Sequence, residues 1–197
     1  MAVVSIKNKL RRGNLLVGND PYIPTDFESI ATTTLTTSTA DITFSSIPGT
    51  YTHLQVRGIV RDTVSGANTM LRWNVNGVTD SGKYMWHDLT GDGATVYAGS
   101  GVGQGDTYFR NIRYPGATST ASAFGVFVLD VLDYTNTNKN TTFRTLGGYD
   151  ANGSGWVALT SAVYLETNAI TSIKISSGAT AFAQYSSFAL YGIKVAS

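Results

Sequence analysis

Along most of the chain, apolar and polar residues alternate with a period of two. In HLQVRGIVR (53–61), Leu54, Val56, Gly58 and Val60 share one face, and His53, Gln55, Arg57, Ile59 and Arg61 the other. That alternation predicts a strand with one buried and one solvated side. MLRWNV (70–75) repeats it, with Leu71, Trp73 and Val75 inward. AFGVFVLDVLDY (123–134) is apolar on both parities from Phe124 to Val131. Its length and β-branched content predict a central strand covered on both faces. Val126 and Val128 therefore join Leu54, Val56, Val60, Leu71 and Trp73 in the expected core. IATTTLTTS and ADITFSSI predict a pair of strands near the start; GSGWVALTSAVYLE, ITSIKIS and SFALYGIKV predict three near the end.

Turn chemistry separates these runs. Asn76-Gly77 suits a tight turn with positive φ, Pro48-Gly49 punctuates another, and YTNTNKN (134–140) reads as an Asn-rich loop. Six glycines between Thr90 and Asp106 predict a long, backbone-permissive loop. No window from residue 25 onward has helical spacing; one short helix is expected around Ile6 to Leu10. About ten strands spaced by turns predict an all-β domain, a sandwich or a barrel. The expected organisation is an extended arm over residues 1–24 and one β domain over 25–197. Pro21 and Pro24 stiffen the joint.

Charge then changes the picture. Only 14% of the 197 residues are charged and the net charge is +1, well under the usual charged quarter. Thr, Ser, Asn and Gly replace the missing charge, which suits faces packed against other subunits. Four of the 14 cations cluster in the arm: Lys7, Lys9, Arg11 and Arg12 all precede the first acid, Asp20. No predicted strand carries a basic stripe, which argues against nucleic acid as a partner. Cysteine is absent, so thiol catalysis and disulfide frameworks are excluded. No stretch approaches the ~20 apolar residues of a membrane span, and the N-terminus lacks the apolar segment of a signal peptide.

Candidate chemistry is sparse. His53 and His87 are the only histidines, and no nucleophile-elbow pattern accompanies them. Asp130 and Asp133 could pair for glycoside hydrolysis; capping strand ends is the plainer role. Asp150, Asn152 and Ser154 alternate as in a calcium loop, with Gly155 behind them. The bidentate Glu of that loop is missing, and a hairpin turn on Asn152-Gly153 explains the same letters. Tyr84, Trp86, Tyr97, Tyr108 and Tyr114, with Phe109 and Trp156, lie beside flexible or polar segments. Rings with a polar tip suit sugar stacking and protein interfaces alike.

Three stretches carry a family resemblance: SSIPGTYTHLQVRGIVR (45–61), DVLDYTNTNKNTTFRTLGGYDANGSG (130–155) and SSFALYGIKV (186–195). They resemble virion structural proteins of tailed bacteriophages, particularly those infecting cyanobacteria and other aquatic bacteria. The opening SIKNKLRRGNLLVGNDPYIPTDFESIAT is similar to a leader shared by such proteins, whereas residues 62–120 match least. The resemblance implies a jelly-roll-like antiparallel β-sandwich, often trimeric, that decorates a capsid or forms part of a tail. It carries no catalytic residue and no cofactor onto this chain. Lys7, Lys9, Leu10, Arg11, Arg12, Leu15 and Leu16 are then the expected attachment residues, docking the arm on another virion protein. A host-surface glycan is the expected ligand if the domain instead serves as a receptor-binding module.

Overall fold

The computed structural model describes residues 26–101 and 106–194. Twelve strands form among them: β1 (Phe27–Thr34), β2 (Asp41–Phe44), β3 (His53–Val60), β4 (Asn68–Val75), β5 (Tyr84–Gly91), β6 (Val96–Ser100), β7 (Phe109–Pro115), β8 (Gly125–Leu132), β9 (Thr141–Asp150), β10 (Gly155–Tyr164), β11 (Ile173–Ser176) and β12 (Ser187–Ile193). All pairings are antiparallel. One sheet has the order β1-β12-β3-β8-β9-β10-β5-β6, and the other β2-β11-β4-β7.

The nested order is that of a jelly roll. Strands β1, β12, β3 and β8 make one four-stranded half, and β2, β11, β4 and β7 make the other. Two hairpins, β5–β6 and β9–β10, then extend the first half from β8 outward to eight strands. The expected jelly-roll-like sandwich is the fold.

Its core is filled from both sheets by the inward parity of each strand. Leu54, Val56 and Val60 of β3 and Leu71, Trp73 and Val75 of β4 are all buried, as their alternation predicts. Aromatic rings link the layers: Phe109 of β7 lies 5.5 Å from Trp73, 4.8 Å edge-on from Tyr84 and 4.8 Å from Phe143. A second cluster joins Phe182 to Phe188 and Tyr114. One carboxylate lies within the core: Asp62, 1% exposed, accepts hydrogen bonds from the Tyr114 hydroxyl at 2.9 Å and the Val64 amide at 2.7 Å. Gly58 earns its place on the inward face because the Phe127 ring occupies the space a Cβ would need.

Four expectations are corrected. Twelve strands form where about ten were expected, and four of them, β5, β6, β7 and β9, lie outside the eight runs named from periodicity. Strand β6 falls inside the glycine-rich segment read as a loop. Strands β1 and β2 are not a pair but lie in different sheets. Finally, β8 is central as expected but is covered on one face only. Phe127, Leu129 and Val131 point inward, whereas Val126 is 55% exposed and Val128 is half-buried. The predicted helix at Ile6 to Leu10 lies outside the described residues.

Candidate functional site

The expected ligand aromatics separate by burial. Tyr84, Trp86 and Tyr114 leave the set because they fall on the inward parity of β5 and β7 and are buried between the sheets. The Tyr84 hydroxyl donates to the Val78 carbonyl at 2.7 Å. Burial pushes the Tyr84 and Tyr114 phenols well above their ordinary range. The Trp86 indole donates to Asp106 at 3.4 Å. Tyr108 is half-buried, with the Arg72 guanidinium 4.6 Å from its ring. Tyr97 alone of the five is well exposed.

Tyr97 stands beside Trp156, their centroids 5.5 Å apart, and the Arg113 guanidinium lies 4.3 Å from the Trp156 ring. Next to them a cleft of about 310 Å³ opens between the β5–β6 and β9–β10 turns, lined in part by Asp92, Tyr149, Asp150 and Trp156. Asp92 accepts from the Thr95 and Ala94 amides and the Tyr97 hydroxyl. Those donors hold its carboxyl below the ordinary range.

Asp150, Asn152 and Ser154 form the β9–β10 hairpin turn. Asn152 and Gly153 have φ of 58° and 101°, the Asn152 amide donates to Asp150 at 2.7 Å, and the Ala151 amide donates to the Ser154 carbonyl. Among the described residues, no group of three or more His, Cys, Asp or Glu could hold a metal ion. Asp133 receives a hydrogen bond from Lys139, while Asp130 takes one from Gln55 at 2.8 Å and pairs with Arg144 at 2.6 Å. The two carboxylates thus serve different neighbours. The arm residues Lys7, Lys9, Leu10, Arg11, Arg12, Leu15 and Leu16 lie outside the described residues.

On the inner side of β5, Asp88 has one carboxylate oxygen buried with no hydrogen-bond partner among the described residues. Burial raises its pKa above the ordinary carboxylate value, against the pull of backbone hydrogen bonding and of Arg113. The folded state then holds its proton more tightly than the unfolded chain. Its ionisation therefore lowers stability as pH rises from the ordinary carboxyl value through the raised one. Asp88→Asn is expected to raise the neutral-pH melting midpoint and to flatten that part of the stability profile. Thermal melts of both proteins from acid to neutral pH check this.

The largest feature is one that single-strand periodicity did not reveal. On the outer face of the eight-stranded sheet, Ile59, Leu89, Val96, Val126, Leu146, Val157 and Leu159 are each 46–72% exposed. Strand register arranges them in two rows. One runs Thr34–Ser187–Ile59–Val126–Gly148–Val157–Gly91–Val96. The other runs Thr32–Ala189–Arg57–Val128–Leu146–Leu159–Leu89–Ala98. A polar row of Gln55, Asp130, Arg144, Ser161 and His87 borders them. Its only charge pair, Asp130–Arg144, is internally neutralised. Over β1, β12, β3 and β8 the face hollows into a groove of about 470 Å³, floored by small residues and flanked by Arg57, Tyr191, Ile59 and Val126.

No match decides the family. A scan against protein-family models and a search of curated proteins each returned nothing for this chain. The functional reading therefore rests on the surface just described and on the residues that carry the resemblance. A both-parity apolar run, as in β8 and β10, was the available signal for this face. It marks bare apolar surface as well as double coverage.

Proposed function

We propose that the chain is a non-enzymatic structural subunit of a tailed-bacteriophage virion, tail-associated or capsid-decorating, attached to its neighbours through residues 1–24. The observation that carries this reading is the apolar outer face of the eight-stranded sheet. Monomeric proteins rarely expose contiguous apolar patches of more than a few hundred Å², so a face of this kind belongs to a molecule that works in an assembly. The low charge content and the resemblance of residues 45–61, 130–155 and 186–195 to virion proteins support it. Quantitative mass spectrometry of purified particles encoded by the same genome tests the proposal. A decorating subunit is present in hundreds of copies and a tail subunit in a handful; absence from the particle rejects both.

A second reading is a carbohydrate-binding module, favoured by the cleft beside Tyr97 and Trp156. An aromatic pair bordering two carboxylates suits a sugar ring. It is compatible with a tail position at the host surface. Retention of the protein on immobilised host polysaccharide, lost in Tyr97→Ala, supports this reading; equal elution of both proteins from that matrix rejects it.

A further inference from the structure

We propose that the outer face of the eight-stranded sheet is a self-association surface that seats the same face of a second copy, related by a two-fold axis. The inference deepens the assembly reading and rests on it for its biological sense. Its geometry comes from the sheet alone.

Size is the first argument. Eight strands about 4.8 Å apart and three same-face rows about 7 Å apart give roughly 700 Å². Stable interfaces take about 800 Å² from each partner. The two apolar rows and their polar margin thus offer nearly a full interface. Charge is the second. Asp130 and Arg144 satisfy each other, and the one further cation of the rows, Arg57, donates to Gln55 and lies beside the Phe27 and Tyr191 rings, so the face carries no cluster of one sign that selects a partner of the other. An apolar face of this kind matches its own copy.

Shape selects the symmetry. The groove occupies the half of the sheet made by β1, β12, β3 and β8. Leu146, Leu159 and Leu89 project from the other half, on β9, β10 and β5. The centre of the sheet falls between β8 and β9. A two-fold axis parallel to the strands at that centre lays β5 over β12 of the copy, β6 over β1 and β9 over β8. Within the rows, Leu89 then faces Ala189, Val96 faces Thr34 and Val126 faces Gly148, while Val157 meets Ile59, Leu146 meets Val128 and Leu159 lies over the Arg57 side chain. Large side chains meet small ones where the second half enters the groove, at Leu89–Ala189 and Val96–Thr34, and one patch serves both copies, as an isologous interface requires. Face-to-face sheets pack about 10 Å apart in this way. This pairing departs from the trimer that the resemblance implies.

The test is the mass of the full chain in solution by light scattering, with variants placed on the outer face. The wild type is expected at twice the 21.0 kDa of one chain. Leu146→Lys and Leu159→Lys are expected to run as monomers at the same concentration, with circular dichroism unchanged because both side chains face outward. The chain contains no cysteine, so introduced thiols report unambiguously. A mixture of Leu89→Cys and Ala189→Cys proteins is expected to give a covalent dimer with a short thiol-specific bifunctional crosslinker, matched to sheets about 10 Å apart, which neither gives alone. A wild-type monomer at the highest soluble concentration, a trimer, or lysine variants that stay dimeric would each overturn the pairing. So would a monomer whose mass rises on deletion of residues 1–20, because the arm would then be the occupant of this face. The mass of the isolated protein and its presence in particles are separate readouts, so this pairing and the virion reading can fail independently.

Discussion

Trp73→Ala is expected to destabilise the domain by about 3–5 kcal/mol, the range for truncating a fully buried large aromatic. Trp73 is 1% exposed and packs against Phe109, whose ring also meets Tyr84 and Phe143. Truncation therefore leaves a cavity where both sheets and the β5 extension meet, with little room to relax. One effect opposes the loss. The indole N–H is buried without a partner among the described residues, so removing it relieves an unpaired donor worth about 1–3 kcal/mol. The transfer and cavity losses exceed that relief, placing the result toward the lower half of the range. For a chain of this size, each kcal/mol moves the melting midpoint by about 2–4 °C. Thermal denaturation of the two proteins checks it, and an unchanged midpoint would place the ring outside the core.

The inward parity of β3 and β4 was legible because polar residues at alternate positions broke the symmetry between faces. In β8 no such break exists between Gly125 and Leu129, and periodicity cannot tell a doubly covered strand from one that leaves apolar side chains in solvent. Val126 was placed inside for that reason. Strand β5, YMWHDLTG, alternates Tyr84, Trp86 and Asp88 on its inner side. Its rings read as ligand aromatics because Asp and Gly surrounded them, yet the jelly-roll insertion carries them between the sheets. Strand β6, VYAGS, is only five residues long, contains Gly99 and lies within the glycine-rich segment, so pairing with β5, rather than propensity, makes it a strand. The apolar rows of the outer face depend on register across eight strands, a relation between paired residues as far apart in the chain as Thr32 and Ala189. No local pattern contains it. The hairpin at Asn152-Gly153 was legible, because positive φ at both positions has a direct residue signature.

Deleting residues 1–20 is expected to leave the sandwich folded and to abolish incorporation into particles. Among the described residues, every buried core residue lies between Leu35 and Leu190, so the deletion leaves in place all of the apolar burial seen between the two sheets. What it removes is the concentration of Lys7, Lys9, Arg11 and Arg12, with the apolar Leu10, Leu15 and Leu16 beside them. Cations against an acidic partner surface contribute strongly when desolvated and little when exposed to salt. In the proposed attachment the apolar residues bury surface on the same partner, so raised salt is expected to weaken docking without releasing it. The direct measurement compares full-length and truncated protein for incorporation into particles lacking the native copy, with circular dichroism confirming that both are folded. The account predicts incorporation of the full chain and none of the truncated one; equal incorporation of the two would contradict it.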